Sequence, residues 1–152
     1  MDSPRRLVVF NLDEQRYALR LSAVERVVMI AEITLLPKAP RIIAGVINVQ
    51  GRIIPVVNIR ERFKLPERET ALSDHLIIAK TSRRTVALVA DSVSGVVERP
   101  ENEITAPDRI LPNLEYVVGV VKLDDGLILI HDLELFLSLE EENALEQAMA
   151  PT

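Results

Sequence analysis

Short apolar runs separated by polar breaks follow one another along most of the chain. Within many of them apolar and polar side chains alternate with the period of two that is typical of β-strands. Helical spacing is confined to the stretches that begin near residues 60 and 132. Four breaks carry residues that favour hairpin turns: Asp13 and Glu14, Gln50 and Gly51, residues 82–84, and residues 124–126. The pattern predicts a mostly β protein built from short strands.

The chain repeats itself at two related offsets. Shifted by 69 places, residues 7–28 align with residues 76–97 without a gap, so that Val24 falls on Val93. Shifted by 74 places, residues 45–59 align with residues 119–133. The longer offset places an insertion in a polar connection of the second copy, where extra residues cost little. Two gapless matches in the same order indicate an internal duplication.

Each copy contains four or five short strands, a number that suggests a small barrel whose closure removes exposed edges. We therefore expect an all-β fold with minor helices: two tandem five-stranded barrels, with short helices after each copy and at the C-terminus. The expected bounds are about 7–63 for the first barrel, 64–74 for a connector, 75–137 for the second barrel and 138–150 for the last helix. All of them belong to one domain.

The connector and the C-terminal tail also contain residues that predict local structure. The connector that follows Arg60 predicts a short helical turn and then a loop. Ser138 followed three residues later by Glu141 fits a capping box that opens the last helix. Because Leu145, Ala148 and Met149 share one face of that helix, the tail is expected either to dock on a barrel or to fray.

Composition narrows the function classes. Hydrophobic residues make up 48% of the chain and aromatic residues only 3%, so the core is expected to be aliphatic. The net charge of −5 works against general binding to nucleic acid or anionic membranes. The absence of cysteine excludes disulfides and thiol chemistry. The apolar run at residues 7–10 is too short for a signal peptide or a membrane span, which favours a cytoplasmic location.

The hairpin at residues 45–58 contains a proline inside an apolar strand. Alternation places Ile53, Pro55 and Val57 on one face and Ile54 and Val56 on the other. Proline cannot donate a ladder hydrogen bond, so it belongs at a sheet edge or a bulge. The outward face then meets either the sister barrel or another protein, and both can hold at once.

At these residues the chain resembles the CheW-type coupling proteins of bacterial chemosensory systems. The resemblance rests on the hairpin GVINVQGRIIPVVNIR, on LVVFNLDEQRYALRL, on VALVADSVSGVV and on GVVKLDDGLILIHDLELFL, which occur in this order between residues 7 and 137. It implies two five-stranded barrels of SH3-like type, and no catalysis, cofactor or metal. It also implies an adaptor that links the cytoplasmic helical tip of chemoreceptors to the regulatory domain of a CheA-type histidine kinase, without inserting into the membrane.

The resemblance assigns two sets of surface residues. The receptor-binding groove between the barrels would involve Val24, Gly45, Asn48, Gln50, Val93 and Val96. The kinase-binding edge of the first barrel would involve Ile33, Ile42 and Ile53.

The chain departs from the family pattern at three positions. Gln50 replaces an arginine, Asn58 replaces an aspartate, and Arg26 stands where an acidic residue often follows the second strand. A family ion pair is therefore expected to become a contact between Arg26 and Gln50 at best.

Other chemistries find little support in the residues. The two histidines, His75 and His131, have no ligand spacing and are expected to be structural residues with satisfied hydrogen bonds. The basic residues of the connector alternate with glutamates and lack an aromatic stacking platform, which makes a nucleic-acid site the weaker interpretation. The alternatives that stay open are a small ligand- or nucleic-acid-binding β-barrel outside chemosensory signalling, and an enzyme with an unfamiliar site.

Overall fold

The structure is a computed structural model that describes residues 5–107 and 116–150, and these residues contain eleven strands. The strands are β1 (Arg5–Leu12), β2 (Gln15–Arg20), β3 (Val24–Met29), β4 (Ile43–Val49), β5 (Arg52–Val57), β6 (His75–Lys80), β7 (Thr85–Ala90), β8 (Ser92–Arg99), β9 (Ile104–Thr105), β10 (Val117–Leu123) and β11 (Gly126–His131). The helices are α1 (Ile59–Arg62) and α2 (Leu139–Met149), and 3₁₀ turns span Leu21–Ala23, Glu101–Glu103 and Leu133–Leu135.

The strands form two sheets. The first has the order β8-β1-β2-β11-β10-β9 and the second has the order β3-β6-β7-β5-β4. Neighbouring strands are antiparallel except for the parallel pairs β2–β11 and β5–β7. The predicted mostly β fold with a few short helices is confirmed.

The two sheets do not correspond to the two consecutive segments that were expected to form one barrel each. The hairpin β1–β2 from the first half pairs with β8 and β11 from the second half. The hairpin β6–β7 from the second half pairs with β3 and β5 from the first. Segments 7–63 and 75–137 therefore exchange their leading hairpins. The two copies carry equivalent strands, so a repeated pattern of apolar residues does not tell which copy supplies the partner of a given strand.

The registers of the two sheets are related by the offsets seen in the sequence. Leu7 pairs with Val97 in the first sheet, and Leu76 pairs with Val28 in the second. Both ladders also skip one residue at the corresponding place, which is a β-bulge in β8 and in β3. The part of the longer connection at residues 108–115 lies outside the described residues.

The predicted turns and caps are present. Asp13 and Gln50 have positive φ values of 55° and 52°, as tight hairpin turns require. Ser138 and Glu141 form the predicted capping box at the start of α2. Helix α2 docks rather than frays, because Leu145 is fully buried in a cluster that also contains Phe10 and Leu88. That cluster draws side chains from both sheets, so the two sheets share one core.

Candidate functional site

The turn of the hairpin β4–β5 is built by three residues. Gln50 and Gly51 both have positive φ, and the Asn48 Oδ1 atom accepts a hydrogen bond of 2.8 Å from the Gly51 N–H. Asn48 therefore stabilises the turn, whereas the Gln50 side chain is exposed at its tip. The turn therefore places the Gln50 side chain at the exposed tip of the hairpin.

Pro55 costs the β4–β5 ladder no hydrogen bond. It lies opposite Val46, whose N–H and carbonyl both bond to Thr34 on the other side of β4, each at 2.8 Å. In an antiparallel pair, a residue whose N–H and carbonyl point to the other side of its strand makes no ladder hydrogen bond to the residue opposite it. The N–H that proline lacks is therefore not needed at position 55. Pairing of β5 with β7 begins only at Val56. Although β5 is an inner strand of its sheet, Pro55 thus sits where one side of the strand has no partner.

The outward face predicted for β5 is only partly correct. The Ile53 side chain is 54% exposed, but Pro55 and Val57 are buried with Ile54 and Val56. The strand enters the shared core beyond Pro55, so both of its faces are covered there. Ile53 is the residue of this run that can contact another molecule.

Two polar contacts join the hairpin tip to the edge strand β3. The Arg26 guanidinium donates to the Gln50 Oε1 atom at 3.5 Å, which is the expected Arg26–Gln50 contact. Arg52 forms an ion pair of 2.8 Å with Glu25, and its hydrogen bond holds the pKa of the Glu25 carboxyl below its usual range. Arg52 also donates to the Thr85 hydroxyl at 3.1 Å. The tip is therefore oriented by neighbouring strands.

The remaining residues predicted for receptor binding lie in different environments. Val24 on β3 and Val93 on β8 are half-buried and pack against the shared core. Val96 on β8 is 54% exposed. Gly45 is buried, and a Cβ atom there would lie 2.4 Å from the Thr34 carbonyl oxygen. Gly45 therefore shapes the strand rather than presenting a contact.

The residues predicted for kinase binding are also separated. Ile53 is exposed, and Ile33 is half-buried beside Gly45. Ile42 is 2% exposed and belongs to the shared core, so its assignment to a binding surface is wrong. The physical reason is that Ile42 immediately precedes β4, where the chain enters the interior. Leu35, which is 79% exposed in the preceding loop, was missed because a single leucine in a loop has no periodic signal.

A charged cluster that the sequence does not predict joins the β1–β2 turn to the second sheet. Arg60, at 9% exposure, bonds Asp13 at 2.8 Å and Asp91 at 3.0 Å. Arg68 from the connector bonds Asp74 at 2.7 Å and also contacts Asp91. Burial acts to raise the pKa of Asp91, but the hydrogen bonds from Arg68 and Arg60 outweigh it and hold that pKa below its usual range.

His131 lies in a group of aromatic rings. Its ring stacks on Phe63 with centroids 4.2 Å apart, and Tyr17 and Phe136 lie within 5.9 Å. Burial lowers the pKa of His131 to about 4, so the ring is neutral near pH 7. Neither ring nitrogen makes a well-formed hydrogen bond among the described residues, although the Tyr116 backbone lies near enough to oppose part of the lowering of the pKa; the Nδ1 atom of His75 has no partner there either. The prediction of satisfied histidines is therefore wrong in that respect.

The comparisons with known proteins agree with this architecture. A family model described as a CheW-like domain matches residues 6–141. The chain belongs to the CheW-like family. A chemotaxis protein CheW from Thermotoga maritima is 33% identical over 125 residues, which cover 82% of this chain and 82% of that protein. The crystal structure of the scaffolding protein TtCheW from Thermoanaerobacter tengcongensis has a TM-score of 0.81 and 32% identity, and covers 91% of this chain and 95% of that one.

A second kind of relative is similar to this chain over one part of a longer sequence. The chemotaxis protein CheA of Bacillus subtilis is 28% identical over 121 residues, which span 79% of this chain and 17% of that protein. One portion of CheA is therefore similar in sequence to 79% of this CheW-like chain. In the described parts, residues 5–107 and 116–150, none of the helices is long and apolar enough to span a bilayer.

Proposed function

We propose that this protein is a cytoplasmic, non-enzymatic adaptor that couples chemoreceptors to a CheA-type histidine kinase in a chemosensory array. The observation that carries the proposal is an exposed Ile53 on a well-oriented hairpin, in a chain 32% identical to a solved scaffolding protein of the same fold. A few side chains that become buried at the centre of an interface carry most of its binding free energy, and Ile53 is proposed as one of them.

The proposed kinase-binding surface lies on the outer part of the hairpin β4–β5. It consists of Ile53 with Ile33 at its margin, and Leu35 is added because it is exposed in the loop that pairs with β4. Ile42 is not part of it. The portion of CheA that is similar to this chain supports a partner with a related fold.

The proposed receptor-binding surface lies along the edge strands β3 and β8 and the tip of β4–β5. Val96 is its exposed apolar residue, Val24 and Val93 form its floor, and Gln50 with Asn48 forms its polar end. Gly45 is included as a residue that shapes β4. Small and branched side chains suit a groove that receives a helix.

We also propose that each sheet, which contains strands from both halves of the chain, curls into a small SH3-like barrel. The β-bulges at equivalent places in β3 and β8 support this, because a bulge increases the bend and twist of a strand.

Titration calorimetry against the isolated regulatory domain of a CheA-type kinase from the same genome tests the kinase surface. We expect saturable one-to-one binding that Ile53→Asp abolishes while cooperative melting is retained. Leu72→Asp is the matched control, since Leu72 is 90% exposed in the connector and lies outside both surfaces. Absence of binding by the unsubstituted protein, or equal loss with the control, contradicts the proposal.

A second titration tests the division of surfaces. Val96→Lys is expected to weaken binding to a receptor cytoplasmic fragment at least about tenfold and to spare the kinase domain. Leu139→Lys serves as the control because Leu139 is 62% exposed at the start of α2 and belongs to neither set of assigned residues. Equal weakening for both partners would show that the two surfaces are not separate.

A further inference from the structure

The bulge in the edge strand β3 places Arg26 at an open edge of the second sheet. In the ladder with β6, Val24 lies opposite Ala79. Arg26 lies opposite the next residue, Ile78, so Glu25 is the extra residue of the bulge. A bulge redirects the side chains that flank it and is common beside binding sites. Strand β3 pairs with β6 alone, so the bulge lies on a strand whose other side pairs with no strand.

Arg26 is the less satisfied of two arginines at this corner of the molecule. Arg52 bonds the Glu25 carboxylate at 2.8 Å and the Thr85 hydroxyl at 3.1 Å. Arg26 donates only to the neutral amide of Gln50, at 3.5 Å, which is longer than a usual N–H···O bond. It has no ion-pair partner among the described residues. Because Arg26 is half-buried, part of its hydration is lost without a carboxylate in exchange.

The charges around Glu25 leave a positive excess. Arg52, Lys80 and Arg26 all act to lower the pKa of the Glu25 carboxyl, which places three cations around one carboxylate. Glu25 itself balances Arg52. Lys80 is balanced by two acidic residues that line the same cavity, Asp132 and Glu134. The charge of Arg26 is therefore the one at this corner that has no counter-charge of its own among the described residues.

The equivalent place in the other sheet carries no cation. The offset of 69 relates Arg26 to Gly95 and Val27 to Val96, and the bulge of β8 falls at the same point of its ladder. Val27 and Val96 are both exposed, at 37% and 54%. The two edge strands thus present the same apolar side chain, but only β3 places a guanidinium beside it. Arg26 therefore distinguishes the β3 side of the proposed receptor-binding surface from the β8 side.

We propose that Arg26 is a specificity-determining residue of the receptor-binding surface and that it bonds a glutamate or aspartate of the receptor helix. Val27 supplies the apolar contact beside this bond. A guanidinium that exchanges a long hydrogen bond to an amide for one to a carboxylate gains a charge-assisted interaction, which is about twice as strong as a neutral one. The role of Arg26 rests on the proposed adaptor function, because it names the chemistry of a receptor residue.

Titration of Arg26→Gln with a receptor cytoplasmic fragment from the same genome measures this contribution. Glutamine keeps hydrogen-bonding groups and removes the charge. We expect the affinity to fall about tenfold at low ionic strength, and the remaining affinity to depend less on salt than that of the unsubstituted protein. Lys122→Gln is the matched control, because it removes one positive charge from an exposed residue of β10 that belongs to neither set of assigned residues. The control is expected to bind as the unsubstituted protein does.

A charge exchange identifies the receptor residue. Arg26→Glu is expected to bind the fragment at least about a hundredfold more weakly than the unsubstituted protein. Each exposed glutamate or aspartate of the helical tip of the fragment is then replaced in turn by arginine. One of these replacements should restore binding to Arg26→Glu and weaken binding to the unsubstituted protein. Thermal melting checks that both variants at position 26 are folded, and Arg26→Gln with its salt dependence decides if Arg26→Glu is not.

Each outcome has a separate meaning. The proposed role of Arg26 is overturned if Arg26→Gln binds the fragment as tightly as the unsubstituted protein. It is also overturned if Arg26→Glu is folded and no arginine replacement in the fragment restores its binding, since Arg26 would then act only by orienting the tip of the hairpin. A fragment that does not bind the unsubstituted protein at all contradicts the adaptor function instead.

Discussion

At the scale of single residues, His131 is the buried ionisable group with the clearest consequence. It is 4% exposed, stacks on Phe63, and has only a weak contact with the Tyr116 backbone to oppose the effect of burial on its pKa. A charged imidazolium in this place would lose its hydration without gaining a counter-ion. The equivalent residue in the first copy is Val57, which is also buried. The fold therefore requires only an apolar side chain at this position.

The lowered pKa of His131 predicts a loss of stability in acid. Its pKa is about 4 in the folded protein and 6.5 in the unfolded chain, so the unfolded chain binds the proton more readily between these values. Stability from the neutral ring is complete above pH 6.5 and falls as the pH approaches 4. Between pH 7 and pH 4.5 we expect a loss of about 2 kcal/mol from this residue.

Urea unfolding of the protein and of His131→Phe at both pH values measures this loss. Phenylalanine keeps the stacking of the ring and removes the ionisable imidazole. The remaining titratable groups are the same in both proteins. The difference in free energy of unfolding between the two proteins should therefore change with pH in favour of His131→Phe. An unchanged difference would show that His131 is protonated in the folded state as easily as in the unfolded one.

Gly45 and Gly119 occupy equivalent places and form a matched pair. A Cβ atom at Gly45 would lie 2.4 Å from a backbone oxygen, and one at Gly119 would lie 2.7 Å from the Ile104 Cγ2 atom. Because a side-chain methyl can move and a paired carbonyl cannot, Gly45→Ala should cost roughly 3 kcal/mol and Gly119→Ala roughly 1 kcal/mol. Chemical unfolding of both variants gives the comparison, and equal costs would contradict the geometry.

At the scale of elements, α2 depends on its first turn. The Ser138 hydroxyl accepts from the Glu141 N–H at 3.1 Å, and the Glu141 carboxylate accepts from the Ser138 N–H at 2.7 Å. Glu141 also bonds Arg62, which links α2 to α1. The capping box was visible in the sequence, but the link to Arg62 was not, because it joins residues far apart in the chain.

This double role of Glu141 predicts an order of effects. Ser138→Ala should cost about 1 kcal/mol, the usual value for a lost N-cap. Glu141→Ala should cost more, since it removes its half of the box and also leaves the half-buried Arg62 without its carboxylate. Urea denaturation monitored by circular dichroism measures both, and a larger cost for Ser138→Ala would contradict the importance of the Arg62 contact.

At the scale of the whole molecule, the exchanged hairpins make each half incomplete. Strand β1 lies between β2 and β8, and β7 lies between β6 and β5, so each sheet needs strands from both halves. The cluster of Arg60, Asp13 and Asp91 adds a polar link across the same junction. Folding is therefore expected to be cooperative over the entire chain.

Separate expression of residues 1–63 and 64–152 tests this expectation. Neither fragment should fold alone, because its strands would lack their neighbours and expose apolar edges. Mixing the two should restore β structure and a single melting transition. Circular dichroism and calorimetry of each fragment give the answer, and cooperative melting of one fragment by itself would contradict the exchanged topology.

Much of the local structure follows from the sequence, and specific residues show why. The turn residues Asp13 and Gln50, the capping box at Ser138 and the contact between Arg26 and Gln50 were all predicted and are present. The turns and the capping box depend on residues close together in the chain, and the contact between Arg26 and Gln50 follows from an ion pair that the family pattern implies. The burial of Ile42 and the cluster around Asp91 were not predicted, because they depend on where distant segments meet.

The sequence by itself determined the strands, their turns and the repeat, because alternation and turn preferences are set by residues close together in the chain. Only the tertiary structure decided which copy supplies each neighbouring strand, since the two copies present nearly the same apolar pattern and either pairing satisfies it. It also decided that the connector lies where Arg68 and Arg60 meet Asp91. That choice depends on the path of the chain after each copy, which only packing of the whole molecule determines.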